Sequence, residues 1–201
     1  MPGVRLLVAS SNPGKIEEFR QLASCGGRAF ALDPLPGFDR LPAFEESAET
    51  LAENAAGKAL YYSRTSSEML MADDSGLVVP ALGGEPGVRS SRYAGPEGDA
   101  RKNIAKLLAA MARKSGEERA ARFVCVLALA RAGRVLAVFS GAVAGTILEA
   151  SRGSGGFGYD PVFFYEPAGK TFAELAPGEK NRVSHRGRAF EKLAAYLGEA
   201  G

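Results

Sequence analysis

The chain has 201 residues, with 25 Lys and Arg against 23 Asp and Glu and a formal charge of +2, too balanced for the basic stripe of a duplex-DNA binder. Its hydrophobic share of 46% and charged share of 24% are those of an ordinary globular protein. Its single histidine, His185, rules out a histidine-clustered zinc site, and no apolar run approaches the roughly 20 residues of a membrane span.

A chain of this length fits one domain, or two lobes sharing a core. The apolar run from Val4 to Ala9 arrives after three residues, which leaves no room for a signal peptide. The expectation is a cytoplasmic protein with no nucleic-acid or membrane partner. Cys25 and Cys125 are far apart without metal-ligand spacing, and read as buried thiols in a reducing compartment.

In chain order, residues 4–9 predict a short buried strand, and Ser10 to Lys15 a polar turn. Asn12 followed by Pro13 reads as an N-cap with proline at the first helical position. Ile16, Phe19, Leu22 and Ala23 then recur at helical spacing to about Ser24. Residues 26–44 are rich in Gly and Pro and predict irregular structure with one weak strand. Thr50 with Glu53 is a capping-box signature opening a helix to about Arg64.

Met69 to Ala72 predicts a strand stopping at Asp73 and Asp74. Ser75-Gly76 reads as a turn, with Leu77 to Val79 extended beyond it. Asp99 caps an amphipathic helix bearing Ile104, Leu107, Leu108 and Met111. Phe123 to Ala130 and Val135 to Val143 predict two strands around a turn at Ala132-Gly133. A glycine-rich loop from Gly153 to Gly158 precedes a strand from Val162 to Tyr165. A last helix starts after Ser184 and ends at Gly198. Strands and helices mix without strict alternation, so the fold class is α/β, a mixed sheet with helices packed on it.

Five segments can carry chemistry. Ser10, Ser11, Asn12, Pro13, Gly14 and Lys15 lie between a strand and a helix, where backbone N–H groups and a lysine suit a phosphate. They do not make a Walker A sequence, and an ordinary strand-to-helix turn fits them equally well. In Ala72 to Leu77, two adjacent carboxylates end an apolar strand, a costly arrangement without a cation or donors. Alternating strand side chains give Asp73 and Asp74 different faces. The one facing a cleft can bind magnesium and orient a water, and Asp74, nearest the turn, is the choice. Simple turn chemistry is the alternative.

The run from Glu45 to Lys58 puts acids before a helix start, where the macrodipole favours them, and sets Asn54 and Lys58 on one face. Gly153 to Pro161 contains G-x-G-x-x-G, but a strand rather than a helix follows, so a dinucleotide fingerprint is not expected. Phe157 and Tyr159 offer a stacking face for a base, or belong to the core. Lys180, His185 and Arg186 are donors near a helix start, suited to the keto oxygens of a purine edge, or to a basic surface loop.

Together, SSNPGKIEEFR, ETLAENAAGKA, ADDSGLVV with ALGGEPGVRSSRYAG, GSGGFGYDPVFF and FAELAPGEKNRVSHRGRA resemble, in order and over nearly the whole chain, the inosine triphosphate pyrophosphatase family. The resemblance implies an elongated mixed sheet with flanking helices, two lobes around a central nucleotide-binding cleft, and a homodimer. It implies magnesium-dependent release of pyrophosphate from ITP, dITP and XTP. It makes Asp74 the proton acceptor and a magnesium ligand, with Ser75 on the substrate and Ser10 to Lys15 on the triphosphate. It sets Phe157, Gly158, Tyr159 and Asp160 at the base, with Lys180, His185 and Arg186 as donors around it. A glutamate before the second helix is the further metal ligand; Glu45 is taken, with Glu46 adjacent. Ser11 departs from the glycine many relatives carry. Three rivals stand beside this reading. They are a single-stranded RNA or nucleotide-binding module, a serine hydrolase built on Ser75, His185 and Asp160, and a pyrophosphatase for modified pyrimidines.

Overall fold

The computed structural model describes residues 4–24 and 30–199. Cys25 and the start of the irregular segment lie outside the described residues. The helices are α1 (Pro13–Ser24), α2 (Leu51–Tyr62), α3 (Ala100–Ala110), α4 (Pro177–Val183) and α5 (His185–Glu199). The strands are β1 (Val4–Ala9), β2 (Phe30–Pro34), β3 (Met69–Val78), β4 (Ala120–Arg131), β5 (Arg134–Ile147), β6 (Phe163–Tyr165) and β7 (Lys170–Thr171).

Seven strands form one sheet in the order β2-β1-β3-β4-β5-β6-β7. β1 pairs in parallel with both β2 and β3, so Leu6 lies between Leu32 and Met69. The pairs β5·β6 and β6·β7 are antiparallel, which makes the sheet mixed, as the irregular alternation of elements predicts. Ala132 and Gly133 both take positive φ, +47° and +75°, the conformation a two-residue hairpin turn requires between β4 and β5. Among the described residues no helix is long and apolar enough to cross a membrane.

The chain forms two compact units. The first joins Met1–Asp74, Cys125–Gly141 and His185–Gly201, and the second joins Ser75–Val124 and Ala142–Ser184. The core of the first gathers Leu6, Val8, Phe19, Met71, Cys125, Leu127, Leu129, Phe190 and Leu193. Phe19 of α1 and Phe190 of α5 meet there with centroids 5.9 Å apart. Cys125 is fully buried in that cluster. Val126, Ala128 and Ala130 are buried as well, so this stretch of β4 is covered on both faces. The core of the second unit gathers Leu77, Leu107, Met111, Phe123, Ile147, Phe163 and Phe172.

Four local expectations are corrected. β3 does not turn at Ser75-Gly76 but runs unbroken through Asp73-Asp74-Ser75-Gly76. Gly76 is needed for close approach: a Cβ there would lie on the Gly87 carbonyl oxygen and within 3.0 Å of Ser90 Oγ. Ser90 Oγ also accepts the Leu77 N–H at 2.9 Å. α2 ends at Tyr62 and closes with one 3₁₀ turn, Ser63–Thr65. α4 is a further helix that periodicity cannot register in seven residues; its start is fixed by Ala176 N–H donating to Glu179 at 3.0 Å. α5 runs past Gly198 to Glu199, since one glycine in a last turn costs only about 1 kcal/mol.

Gly76→Ala should destabilise the protein by about 1–3 kcal/mol, the range for forcing atoms into a closed core. Urea denaturation followed by circular dichroism measures it, and an unchanged midpoint would remove the close approach as the reason for this glycine.

Candidate active site

The first unit holds a cluster of charges around the end of β1 and the middle of β3. Leaving β1, the chain turns through Ser10 to Lys15 into α1, and two side chains shape that turn. Ser10 Oγ accepts the Asn12 N–H at 3.2 Å, and Asn12 Oδ1 accepts the Lys15 N–H at 3.0 Å. Asn12 is thus the N-cap its sequence position predicts. Ser11, Asn12 and Pro13 are exposed while Gly14 and Lys15 are half-buried, so the helix start is open to an anion.

Lys15 turns its ammonium onto Asp73 at 2.7 Å. Asp73 is buried at 2% exposure, and burial works against its charge. Lys15, Arg186 and Lys58 outweigh that and hold the carboxyl down at about 2. Lys58 donates to the Asp73 carbonyl oxygen at 3.0 Å and forms an ion pair with Glu46. Burial opposes the Lys58 charge too, but Asp73 and Glu46 together raise its pKa above the ordinary value.

Asp74 has the opposite balance. Burial first, then the Glu46 carboxylate, push its pKa up to about 6, against the pull of Lys15 and Lys58. Neighbours on one strand therefore differ as the alternation predicts: Asp73 is neutralised by its lysine, and Asp74 is a base of raised pKa. Glu46, not Glu45, supplies the second carboxylate. Glu45 is exposed, whereas Glu46 is half-buried, holds Lys58 and acts on Asp74. The two glutamates are adjacent on an extended segment, where a one-residue shift changes the face.

A divalent cation suits this pair, since it would relieve both the desolvation of Asp74 and its repulsion from Glu46. Among the described residues no group of three or more His, Cys, Asp or Glu gathers to form an all-protein metal cage.

His185 and Arg186 open α5 in the same unit and are buried at 3% and 2%. Arg186 forms an ion pair with Glu18 of α1 and lies 5.8 Å from the centre of the Phe19 ring. Burial lowers its pKa, but Glu18, Cys125 and Asp73 more than restore it. Lys15 and Glu18, three apart on α1, thus reach two different elements, β3 and α5. Glu18 was missed in the sequence, where it is one acid among IEEFR; its spacing from Lys15 was the available signal.

The second unit holds the loop from Gly153 to Pro161. Its fingerprint-like glycines lead into β6, not a helix, so the dinucleotide reading fails as expected. Gly155 N–H donates to the Ala173 carbonyl at 3.0 Å, and the Thr171 hydroxyl donates to the Arg152 carbonyl at 2.8 Å. Asp160 is buried; it accepts the Phe157 N–H at 2.8 Å and pairs with Lys180 of α4. The Lys180 ammonium lies 5.0 Å from the half-buried Phe157 ring centre. Gly158 is half-buried with φ +61°. Ser75, in the same unit, is half-buried directly after Asp74.

One expectation changes here. Tyr159 is core, with its ring in the apolar cluster and its hydroxyl donating to the Ser90 carbonyl at 2.9 Å, so it does not stack on a base. Within the second unit Lys180 is engaged by Asp160, and within the first Arg186 is engaged by Glu18. The engagement of Asp160 with Phe157 and Lys180 also takes the third member from a Ser75 triad.

Fold and site together define a class: a mixed α/β protein with a capped strand-to-helix turn beside a buried carboxylate pair. The family model described as the Ham1 family matches residues 6–196, and the chain belongs to that family. It is 49% identical over 188 residues to the dITP/XTP pyrophosphatase of Geobacillus kaustophilus, covering 94% of this chain and 91% of that protein. It is 48% identical over 193 residues to a dITP/XTP pyrophosphatase of Thermus thermophilus, covering 95% and 90%. The structure of the Staphylococcus aureus Ham1 protein superposes with a TM-score of 0.85 at 35% identity, over 98% of this chain and 100% of that one.

Lys15→Met leaves Asp73 buried beside only its remaining cations, and should cost about 3 kcal/mol, the lower end for an orphaned buried charge. The depressed Asp73 carboxyl contributes stability that is complete above its unfolded value of 3.8 and is lost as pH falls toward about 2. In Lys15→Met, where the folded value moves back up toward the unfolded one, that acid-dependent loss should be smaller and complete at higher pH. Denaturant titrations between neutral and acid pH check both statements.

Proposed function

We propose that the chain hydrolyses dITP and XTP, and ITP with them, to the monophosphate and pyrophosphate, in the cytoplasm and with magnesium. The observation that carries the reading is Asp74, a buried carboxylate of raised pKa between a second carboxylate and two lysines. The names carried by relatives matching over nearly the whole chain support the substrate class.

Asp74 and Glu46, in place of Glu45, would hold the magnesium. When bound, the ion screens phosphate charge and acidifies water. Asp74 takes the proton from the water that attacks the α-phosphorus, a task suited to a carboxyl whose pKa lies near the working pH. Lys15 and the backbone N–H groups of Ser10 to Gly14 hold the polyphosphate and then the departing pyrophosphate. Asp73 keeps Lys15 in place, and Lys58 keeps Glu46 in place. Ser75 binds substrate directly after the base.

Phe157 offers the stacking face for the purine, and Asp160 with Gly158 sets its loop. Lys180 donates to the keto oxygen of hypoxanthine or xanthine. Adenine leaves that donor unpaired, which costs about 1–3 kcal/mol. Arg186, which acts on the Asp73 carboxyl, supports the charge cluster from α5. The reading includes a homodimer, for which Val135, Leu136 and Val138, 38–47% exposed on β5, offer apolar surface. Light scattering at twice the chain mass is the expected result, and a monomer at micromolar concentration would remove that part.

Pyrophosphate release should be seen from dITP, XTP and ITP, should be about tenfold or more slower from ATP, and should stop when magnesium is chelated. Asp74→Asn should lower kcat by about 10³-fold. Because ionisation of Asp74 above about pH 6 costs the metal-free fold stability, the same variant should melt at or above the wild-type temperature without metal. Retained turnover in Asp74→Asn removes it as the base.

A further inference from the structure

Glu46 lies in the segment from Pro42 to Ser47, which forms no helix or strand. A carboxylate on such a segment has no ladder to fix it, yet α2 grips this one at three levels. Asn54, 1% exposed, accepts the Ala48 N–H at 3.1 Å and donates to the Ala48 carbonyl at 3.4 Å. Lys58 holds Glu46 itself. Tyr62, 4% exposed, accepts the Phe44 N–H at 2.9 Å through its hydroxyl and donates to the Pro42 carbonyl at 3.1 Å.

Asn54, Lys58 and Tyr62 stand at successive intervals of four and so share one helix face. Gly57 completes the fit, since a Cβ there would come within 2.6 Å of Phe44 Cζ. The face therefore follows the segment in register, with backbone contacts on either side of Glu46 and the carboxylate between them. A tyrosine serving only as core would have no need of two backbone partners on an irregular segment, and a phenylalanine would fill its place.

We infer that Asn54 and Tyr62 are positioning residues that present Glu46 to the cation, acting through the backbone of residues 42–48. This rests on the reading of Glu46 as a ligand. Neither side chain is assigned contact with substrate or metal. Their effect is on how much order the segment has before the cation arrives, and hence on cation affinity rather than on the chemical step.

Tyr62→Phe is the clean variant, because it keeps the ring packing on Phe38 at 4.8 Å and on Tyr61 at 5.0 Å while removing the hydroxyl. Asn54→Ala is the second variant, and Glu46→Gln the reference. Magnesium affinity is measured by calorimetry and as the concentration for half-maximal turnover, and amide hydrogen exchange is followed in the metal-free protein. Tyr62→Phe and Asn54→Ala should each weaken magnesium about tenfold, keep kcat at saturating magnesium, and exchange faster at Phe44 and Ala48 respectively. Lower melting temperatures with unchanged magnesium affinity would overturn the inference, since that is the result of a merely structural role. Wild-type magnesium affinity in Glu46→Gln would overturn the reading beneath it.

Discussion

Two adjacent carboxylates are buried in the middle of a strand, and much of the first unit can be understood as the means of keeping them there. An isolated ionised carboxylate is expensive to take out of water, and two on neighbouring residues are worse. The Lys15–Asp73 pair resolves half the problem by giving Asp73 a cation at 2.7 Å. Other cations and their partners follow from it: Lys58 on the Asp73 carbonyl, and Arg186 close enough to act on the same carboxyl. Their countercharges, Glu46 and Glu18, come from the segment before α2 and from α1. With Asp73 neutralised in this way, Asp74 is left as the carboxyl of raised pKa.

The strand itself takes part in this arrangement. β3 continues through Asp73 and Asp74 because Gly76 lets its backbone pass against Gly87. A turn at Ser75-Gly76 would have freed the two aspartates to face solvent, with ordinary carboxyl chemistry. The extended conformation fixes their alternation, so one is committed to Lys15 while its neighbour is not. In the second unit a similar division of labour appears in one residue. Asp160 receives both the Phe157 amide and Lys180, so a single buried carboxylate shapes a glycine-rich loop and sets a cation near its aromatic ring.

Much of this was legible in the chain. Caps at Asn12, Thr50 and Asp99 place three helices, because a side-chain cap is a local interaction written in adjacent residues. The different roles of Asp73 and Asp74 followed from strand alternation alone. What stayed hidden depends on contacts distant in sequence. The Glu18–Arg186 pair spans 168 positions. The choice of Glu46 over Glu45 depends on an extended segment whose register no periodicity marks. Tyr159 could be read as a base platform or as core until its hydroxyl was found on Ser90. Ser75-Gly76 reads as a turn in any window of a few residues, and the backbone that excludes a side chain there comes from another segment.

The raised pKa of Asp74 has a consequence for how such a sequence can drift or be engineered. In a folded chain without its cation, this carboxylate is a burden that an amide of the same shape would lift. Screens that reward resistance to heat or protease would therefore enrich substitutions at this aspartate, the residue proposed above as the base. A lineage free of any demand for catalysis would lose that aspartate early, while the sheet, helices and cores around it endured.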